Sequence, residues 1–344
     1  MTEIIVSCER SYRVLIGRGL LNSAAELIKE YSPASKYCII TDENVASYHA
    51  ESVKREVEGT GADVSVYVFS PGEEHKTLET VSGILEFLAA RHFTRGDCLI
   101  ALGGGITGDI AGFAASVYMR GIRFVQIPTT LLAAVDSSVG GKTGVNLTGL
   151  KNQVGAFWQP SLVICDPDTF DTLPEREMRN GMAEVIKYAA ICDEGLADTL
   201  NGDICDIISR CVNIKSEIVS RDERDNGERM LLNFGHTFGH AVECASEERI
   251  PHGMAVGIGM MMASRLAERI GYCEKGMESR MAELLACHGL PLEAPEYPPS
   301  VLFEAMKNDK KRSGGRVTLV LPERFGKCSL HTVTMEELEG FMRG

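Results

Sequence analysis

The sequence predicts an α/β protein, with an N-terminal domain built on a parallel sheet and a C-terminal α-helical domain. Strand-like and helix-like segments alternate along the first half of the 344 residues. From about residue 171 the pattern changes to successive helical repeats of apolar residues. A glycine-rich loop also joins an apolar run to a helical pattern, as in Rossmann-like domains. We therefore place the domains at residues 1–170 and 171–344, and we expect a functional site in the cleft between them.

The strands of the first domain are predicted from short apolar or alternating runs bounded by turn residues. These runs are KYCIITD (36–42), DVSVYVF (63–69), DCLIALGGG (97–105), FVQIPTT (124–130) and LVICD (162–166). TLETVSGILEFLAARH (77–92) instead repeats its apolar residues at helical spacing. Strands separated by helices favour a parallel sheet with both faces covered.

The second domain is predicted to be mainly helical because long segments keep a helical apolar period. These segments are MAEVIKYAAI, ADTLNGDICDIISRCVNIKSEIVSRD, RMLLNFGHTFGHAVECA, GMAVGIGMMMASRLAERI and GMESRMAELLACHG. KCSLHTV, near the end of the chain, has the alternation of a strand and is expected to add one.

Composition excludes several functional classes. The net charge of −13 disfavours nucleic-acid binding, which normally needs a basic excess. No apolar run reaches the roughly 18–20 residues of a membrane span, and MTEIIVSCERSYRV lacks the regions of a signal peptide, so we expect a cytoplasmic protein. The 11 cysteines are an odd number without a CxxC pair, which argues against a disulfide framework and a cysteine-rich zinc site.

The loop ALGGGITGDIAGFAA (101–115) is a candidate dinucleotide site. Gly103, Gly105 and Gly108 fit G-x-G-x-x-G, which lets backbone amides approach a pyrophosphate. A tight turn without a ligand would show the same glycines. Because at least two strands precede this loop, the acid for the ribose hydroxyls is expected upstream, and Asp42 favours NAD over NADP. Glu73 and Lys76, in the turn GEEHK, are further candidates, although a solvated loop has this composition too.

A second glycine-rich stretch, SSVGGKTGVN (137–146), places Lys142 on a loop. It is not a nucleoside-triphosphate loop, because Asp136 stands where that motif requires a glycine. A lysine on a glycine loop still suits a phosphate or carboxylate, and Lys151 and Asn152 add donors nearby.

Five polar residues lie on otherwise apolar helical segments of the second domain. Glu184 and Lys187 are three residues apart, His236 and His240 are four apart, and His252 follows in IPHGMAVGIG. Each alone is more often a helix-surface pair or a hydrogen-bonded histidine. Together they are typical of a catalytic Zn²⁺ site with two histidines and one carboxylate. Spacing does not decide which two histidines bind the metal, although His236 and His240 are the simplest pair.

Cationic residues near this set indicate an anionic substrate. Arg229 and Asn233 precede His236 on the same predicted helix, and NDKKRSGG (308–315) contributes Lys310 and Lys311. With Lys142, Lys151 and Lys187, these side chains are expected to hold a phosphorylated, carboxylated substrate.

Taken in order, several motifs resemble the 3-dehydroquinate synthase family over roughly residues 40–325. They are PGEEHK, LGGGITGDIAGFAA, YMRGIRFVQIPTTLLAAVDSSVGGKTGVN, LKNQVGAFWQP, MAEVIKYAAI, RMLLNFGHTFGHAVE and PHGMAVGIGM. The resemblance implies a Rossmann-like domain followed by a helical domain, a homodimer, NAD and a divalent metal, usually Zn²⁺ with Co²⁺ as a substitute. It also implies the reaction, which converts 3-deoxy-D-arabino-heptulosonate 7-phosphate to 3-dehydroquinate and phosphate in the shikimate pathway of aromatic amino-acid and chorismate biosynthesis.

The resemblance also assigns roles to residues. It makes Glu184, His236 and His252 the metal ligands and places His240 beside the substrate. The substrate set it implies is Lys142, Lys151, Asn152, Lys187, Arg229, Asn233, His240 and Lys310, with Lys311 as the alternative to Lys310, and with Arg120 reaching the neighbouring subunit's site. The NAD set it implies is Asp42, Asn44, Pro71, Gly72, Glu73, Glu74, His75, Lys76, Gly105, Ile106, Thr107, Gly108, Asp109, Thr129, Thr130, Asp136, Lys142, Lys151, Thr169, Phe170, Asp171 and Thr172.

Three other functions stay open at this point. A related sugar phosphate cyclase, such as a 2-deoxy-scyllo-inosose synthase, would share most of these motifs. A metal-dependent polyol dehydrogenase would release NADH and would not need the phosphate-binding cations. A non-catalytic NAD-binding regulator would not need the glutamate and histidines.

Overall fold

The structure is a computed structural model that describes residues 1–148, 150–247, 249–310 and 316–343, without the side chains of 308–310 and 343. The chain forms two compact units. Unit 1 comprises Met1–Pro174 and Asp203–Arg224, and unit 2 comprises Glu175–Gly202 and Asp225–Gly344. The segment Asp203–Arg224 therefore groups with unit 1, although it follows the boundary that we predicted at residue 170.

Eleven strands lie in the described ranges. They are β1 (Thr2–Val6), β2 (Tyr12–Ile16), β3 (Lys36–Asp42), β4 (Asp63–Phe69), β5 (Cys98–Gly103), β6 (Arg123–Pro128), β7 (Lys142–Leu147), β8 (Leu150–Phe157), β9 (Leu162–Cys165), β10 (Arg316–Arg324) and β11 (Lys327–Thr334). The predicted strands are confirmed as β3, β4, β5, β6, β9 and β11. Sequence reasoning missed β1, β2, β10 and the hairpin formed by β7 and β8.

Thirteen α-helices lie in the same ranges. They are α1 (Ala24–Tyr31), α2 (Glu43–Val45), α3 (Glu51–Glu58), α4 (Leu78–Ala90), α5 (Gly105–Val117), α6 (Glu175–Ile191), α7 (Glu194–Ala197), α8 (Ile204–Arg221), α9 (His236–Ala245), α10 (His252–Arg269), α11 (Met277–Cys287), α12 (Pro299–Lys310) and α13 (Met335–Arg343). Short 3₁₀ helices span Leu20–Ser23, Glu73–His75, Tyr118–Arg120, Pro167–Thr172 and Glu228–Asn233, and π-helical turns span Ala46–Ala50 and Ala133–Ser137. No helix in the described ranges combines the length and apolar character that crossing a bilayer requires.

Unit 1 is built on a seven-stranded sheet in the order β1-β2-β9-β6-β5-β3-β4. Strand β1 pairs antiparallel with β2, and the other neighbours in this sheet pair in parallel. Successive residues of β3 point to opposite faces: Ile39 belongs to one hydrophobic cluster, while Cys38 and Ile40 belong to another. Both faces are therefore buried, and the central strands are continuous apolar runs for this reason.

The order of the strands predicts where unit 1 binds a ligand. The chain leaves β3 towards β4 on one side and leaves β5 towards β6 on the other. In open α/β sheets, ligands bind outside the carboxyl ends of strands at such a reversal. The reversal lies between the end of β3, at Asp42, and the glycine loop that follows β5.

Helix α8 joins unit 1 because its apolar face needs a partner. Its buried side chains include Ile207, Ile208, Cys211 and Val212, which repeat at helical spacing. The helix contacts β1, β2 and the π-helical turn Ala133–Ser137. Sequence periodicity predicted this helix, although the predicted segment began at residue 197, the last residue of α7, and so included the turn before α8.

In unit 2, α10 packs against both α9 and α6 with almost no separation between backbones. A Cβ on Gly253 would lie 1.9 Å from the carbonyl oxygen of Asn180 in α6. A Cβ on Gly259 would lie 1.9 Å from the carbonyl oxygen of Gly235, just before α9. Since neither distance is possible for a real side chain, glycine at these two positions allows the three helices to meet.

The structure corrects two local predictions. Residues 229–245 do not form one helix: Glu228–Asn233 is a 3₁₀ helix, and α9 begins only at His236. The break lies at Gly235, whose φ of 80° is left-handed and ends the continuity of the pattern. Lys142 is also not a loop residue, because it begins β7, which pairs with β8.

Candidate active site

The glycine loop of unit 1 runs from the end of β5 into the first turn of α5. A Cβ on Gly105 would lie 2.9 Å from Ser137 Oγ, and one on Gly108 would lie 2.7 Å from Gln126 Oε1. These positions therefore exclude side chains, and backbone amides form the surface at the helix start. Such a cradle fits a pyrophosphate, because the amino end of a helix attracts anions.

Asp42 lies beside this loop, at the end of the strand next to β5. Its Oδ1 accepts hydrogen bonds from the backbone amides of Asn44 (3.0 Å) and Val45 (3.1 Å) and so caps α2. Its Oδ2 accepts from Thr107 Oγ1, at 3.3 Å, in the first turn of α5. The structure thus brings Asp42, Asn44 and Thr107 together at the predicted position, with one carboxylate oxygen already used as a cap.

Lys76 joins residues from three separate segments. Its ammonium group donates to Asp109 Oδ2 and to Asn152 Oδ1, both at 2.6 Å, and its side chain is almost fully buried. Burial raises the pKa of Asp109, while the charge of Lys76 and the hydrogen bond that it donates oppose this shift. Glu73 is linked to the same network through Asn146, whose amide donates to Glu73 Oε1 at 2.8 Å.

Sequence reasoning missed Lys215, which lies on the buried face of α8. Its ammonium group donates to the backbone oxygen of Asp136 at 2.7 Å and forms an ion pair with the carboxylate of the same residue. Lys215 follows Cys211 and Val212 at helical spacing, so it interrupts an apolar stripe. A lysine within an apolar stripe was the signal in the sequence that could have identified this residue, because an ammonium group is buried only with a partner that compensates its charge.

The remaining predicted residues of unit 1 lie in turns or at strand ends. Thr129 is buried and its amide donates to Gly103 O at 3.0 Å. Thr130 Oγ1 accepts from the amide of Ala133 at 3.1 Å. Pro71, Gly72, Glu74 and His75 form the turn before Lys76, and Thr169, Phe170, Asp171 and Thr172 form a 3₁₀ helix after β9. Lys142 and Arg120 are exposed, Lys151 is partly exposed, Ile106 lies in α5, and Arg120 has a left-handed φ of 65°.

In unit 2, three helices bring one carboxylate and two imidazoles together. Glu184, on α6, is fully buried. Its Oε1 lies 3.7 Å from His236 Nε2, on α9, and 3.5 Å from His252 Nε2, at the start of α10. Its Oε2 pairs with the ammonium group of Lys187, one turn along α6. One carboxylate oxygen thus faces both histidines while the other faces the lysine.

These donor atoms fit a divalent metal. Zinc bonds to histidine nitrogen and carboxylate oxygen are about 2.0–2.2 Å long, so two ligands of a tetrahedral site lie about 3.3–3.5 Å apart. The observed separation of 3.5 Å lies at the upper end of this range and that of 3.7 Å lies 0.2 Å beyond it. Two histidines and one carboxylate are a common catalytic zinc set that leaves positions open for substrate.

Protonation of the two histidines differs. Burial lowers the pKa of His236 to about 3, so its imidazole is neutral, which is the form that binds a metal. Burial also lowers the pKa of His252, but hydrogen bonds with Glu184 and Glu243 outweigh it and raise that pKa to about 10.

His240 belongs to a second set, with Glu243 and His252, whose donor atoms also lie within 4.8 Å of one another. The ring of His240 is 5.5 Å from that of His236 and 6.1 Å from that of His252, centroid to centroid. The simple pair of His236 and His240 does not occur together in either set. In contrast to the buried Glu184, His240 is exposed.

A cavity of about 470 Å³ lies beside these histidines within unit 2. It is lined by Asn233, His236 and His240, with Arg316 and Thr318 contributed by β10. Arg229, in the 3₁₀ helix with Asn233, is buried. Lys310 is the last residue of α12, and the position of its side chain, like all of Lys311, lies outside the described residues.

Solved structures of similar proteins share this architecture. One is a 2-deoxy-scyllo-inosose synthase complexed with carbaglucose-6-phosphate, NAD⁺ and Co²⁺, with a TM-score of 0.89, 29% identity and coverage of 100% of both chains. Another is a 2-epi-5-epi-valiolone synthase from Streptomyces hygroscopicus subsp. jinggangensis 5008 with NAD⁺ and Zn²⁺ bound, with a TM-score of 0.88, 30% identity and coverage of 99% of this chain and 98% of that one. The fold and the site thus define a protein of the sugar phosphate cyclase class.

Family models match most of the chain: the 3-dehydroquinate synthase N-terminal model covers residues 66–180, and the C-terminal model covers residues 181–312. The 3-dehydroquinate synthase of Streptococcus mutans serotype c is 42% identical, over 97% of this chain and 97% of the relative. That of Streptococcus sanguinis is 43% identical, over 96% and 97%. This chain belongs to the 3-dehydroquinate synthase family, which confirms the resemblance predicted from the motifs.

Proposed function

We propose that the chain converts 3-deoxy-D-arabino-heptulosonate 7-phosphate to 3-dehydroquinate and inorganic phosphate. The reaction is a phosphorus–oxygen lyase reaction: C5 is transiently oxidised, phosphate is eliminated, C5 is reduced again, and the opened ring closes by an intramolecular aldol step. The observation that carries the proposal is the shared carboxylate oxygen of Glu184, which faces both His236 Nε2 and His252 Nε2. That site belongs to a chain 42–43% identical to 3-dehydroquinate synthases over nearly its whole length.

The cofactors are NAD and a divalent metal, Zn²⁺ or Co²⁺. When bound, NAD would supply the hydride acceptor and donor for C5, and the metal would supply Lewis-acid polarisation of the substrate's hydroxyls. Glu184, His236 and His252 would hold the metal.

Unit 1 would hold NAD at the reversal in strand order. The amides at Gly105–Asp109 would bind the pyrophosphate, and Asp42 Oδ2 would accept from a ribose hydroxyl in place of Thr107. Glu73 and Lys76 would hold the other ribose through the network that already joins them to Asp109 and Asn152. The other proposed contacts are Asn44, the turn 71–75, Thr129, Thr130, Asp136, Lys142, Lys151 and the 3₁₀ helix of Thr169–Thr172.

The substrate would be held by cations and amides that neutralise its phosphate and carboxylate. The proposed set is Lys142, Lys151, Asn152, Lys187, Arg229, Asn233 and Lys310. Fixed cations of this kind stabilise a departing phosphate more than a bound one, because negative charge grows as the bond breaks. Lys187 would also neutralise Glu184, with which it is paired.

His240 is proposed to act on the substrate and not on the metal. It is exposed, it lines the cavity beside His236, and its ring is 5.5 Å from that of His236. A neutral imidazole there would accept or donate a proton at the phosphate end of the substrate.

We further propose that the protein is a homodimer in the cytoplasm. All eleven cysteines are free thiols, as expected in a reducing compartment. The family resemblance gives Arg120 a role across the dimer interface, and its side chain is exposed. Mixing Arg120→Ala with His252→Ala subunits tests this role: random exchange between two inactive variants would restore about a quarter of wild-type activity if Arg120 serves the partner's site, and none if it serves its own.

The related cyclases are the nearest alternative. The identity of 29–30% to 2-deoxy-scyllo-inosose and 2-epi-5-epi-valiolone synthases is well below the 42–43% to 3-dehydroquinate synthases. No contact in the described residues favours the alternative over the proposed substrate.

The deciding experiment measures phosphate release from 3-deoxy-D-arabino-heptulosonate 7-phosphate with NAD⁺ at enzyme concentration, while absorbance at the NADH band is followed. We expect many phosphates per NAD⁺, no lasting NADH, and loss of activity with a chelator. Lasting NADH would indicate a dehydrogenase. Absence of phosphate release, with release from a hexose 6-phosphate instead, would indicate a sister cyclase.

A further inference from the structure

Glu243 is a buried carboxylate to which neither the metal set nor the substrate set assigns a role. It lies on α9, seven residues after His236 and three after His240, so helical geometry places all three on one face. Its side chain is only 4% exposed. A buried carboxylate is costly unless it is paired, so the partner of Glu243 indicates what it does.

One partner of Glu243 is the metal-ligand candidate His252. Glu243 Oε2 lies 3.3 Å from His252 Nδ1, while His252 Nε2 lies 3.5 Å from Glu184 Oε1. The two nitrogens of one ring therefore face two different carboxylates on two different helices. An imidazole that binds a metal through one nitrogen normally donates the other N–H to a carboxylate or carbonyl, which fixes its tautomer and orientation.

The same contacts allow a reversed assignment, in which Glu243 and His240 bind the metal with His252 Nδ1. Two observations favour Glu184 as the ligand. Its Oε1 faces the Nε2 atoms of both His236 and His252, so three donor atoms converge on one space. His240, which the reversed set requires, is exposed and would bring a solvated side chain to the metal.

We propose that Glu243 is a positioning residue that accepts the Nδ1–H of His252 and so directs the Nε2 lone pair towards the metal. The inference rests on the metal role proposed above. Glu243 does not touch the substrate or the metal. Its carboxylate holds the imidazole in one rotamer and one tautomer, and it makes Nε2 a stronger donor by supporting positive charge on the ring.

The test measures Zn²⁺ affinity of the full chain, by competition with a chromophoric chelator, without substrate or NAD. Glu243→Ala is expected to weaken Zn²⁺ binding by about 10–100-fold. Glu243→Gln keeps an oxygen that can accept from Nδ1–H, so it should lose less than Glu243→Ala. Glu247→Gln, which removes an exposed carboxylate four residues later, is the matched control and should bind Zn²⁺ like the wild type. The far-ultraviolet circular dichroism and thermal melting of the variants show whether they remain folded.

Co²⁺ spectra separate a positioning residue from a ligand. If Glu243 only positions His252, Co²⁺-saturated Glu243→Gln keeps the wild-type visible bands and differs only in the Co²⁺ concentration needed for saturation. The ¹⁵N signals of His252 in the Zn²⁺ form should show Nδ1 protonated in the wild type, with a mixture of tautomers in Glu243→Ala. Changed visible bands at saturation would make Glu243 a ligand, and unchanged Zn²⁺ affinity in folded Glu243→Ala would refute any role at the metal. His252→Ala distinguishes the failure of the metal site from the failure of the inference about Glu243. If His252→Ala retains Zn²⁺, the proposed metal site itself is wrong. If His252→Ala loses Zn²⁺ while Glu243→Ala binds it like the wild type, only the inference about Glu243 is wrong.

Discussion

Gly259→Ala tests whether the close packing of α9 and α10 builds the metal site. A Cβ on Gly259 would lie 1.9 Å from Gly235 O and 2.7 Å from Gly239 N, whereas real Cβ contacts stay above 3.0 Å. Both contacts are backbone atoms, so no side chain can turn away, and the helices must separate by about 1 Å. Overpacking of this kind costs about 1–3 kcal/mol, against a gain of about 1 kcal/mol from the better helix propensity of alanine.

Gly257→Ala is the matched control on the same helix. Its nearest neighbour would be Leu285 Cδ2, at 3.4 Å, which is an ordinary contact. This variant should be neutral or up to about 1 kcal/mol more stable, since it gains propensity without a clash. Gly259→Ala should therefore be less stable than Gly257→Ala by about 1–3 kcal/mol, because the propensity gain is common to both.

The same displacement should move His236 and lower the activity, because His236 follows Gly235 directly and begins α9. A shift of about 1 Å in one member of a catalytic site can reduce activity by about a hundredfold. Urea unfolding measures the stability of both variants, and phosphate release with Zn²⁺ titration measures the site. Equal stability and equal Zn²⁺ affinity of Gly257→Ala and Gly259→Ala would refute the argument.

Three further predictions concern substrate, metal and pH. Lys142→Ala should lower kcat by about a hundredfold or more while leaving the Kd for NAD⁺ nearly unchanged, and an unaltered rate in a phosphate-release assay would remove this lysine from the substrate site. Dialysis against a chelator should abolish phosphate release, and Zn²⁺ or Co²⁺ should restore it; activity that survives complete metal removal, checked by elemental analysis, would contradict the metal site. Burial raises the pKa of the Cys38 and Cys98 thiols to about 12 from 9.0, so the folded state keeps protons that the unfolded state loses. The stability that each thiol contributes is therefore fully present below pH 9 and falls by about 1.4 kcal/mol per pH unit as the pH rises towards 12. In urea unfolding, the free energy of unfolding should therefore fall less steeply above pH 9 in Cys38→Ala/Cys98→Ala than in the exposed control Cys287→Ala.

Much of unit 1 was predictable because its signals are local. Each central strand is buried on both faces, so it appears in the sequence as an apolar run. The glycine loop is recognisable because its backbone needs residues without a side chain. Strands β1 and β2 were missed because their patterns are more mixed: β1 has only two buried residues, and Arg13 interrupts the apolar run of β2. Their place in the sheet depends on β9, about 150 residues later, and no local pattern records that pairing.

The sequence by itself determined the α/β class, the alternation of elements, the glycine cradle and the presence of histidines and a carboxylate on apolar segments. From the residues alone, the choice among His236, His240 and His252 stayed open, and the family resemblance supplied it. Only the tertiary structure brought His252 against Glu184, because Gly253 and Gly259 let α10 meet two other helices at backbone contact. It also decided that α8 returns to unit 1 and that Glu243 faces His252. Periodicity reports which face of an element is apolar, whereas the partner of a buried charge is set by packing between segments distant in the chain.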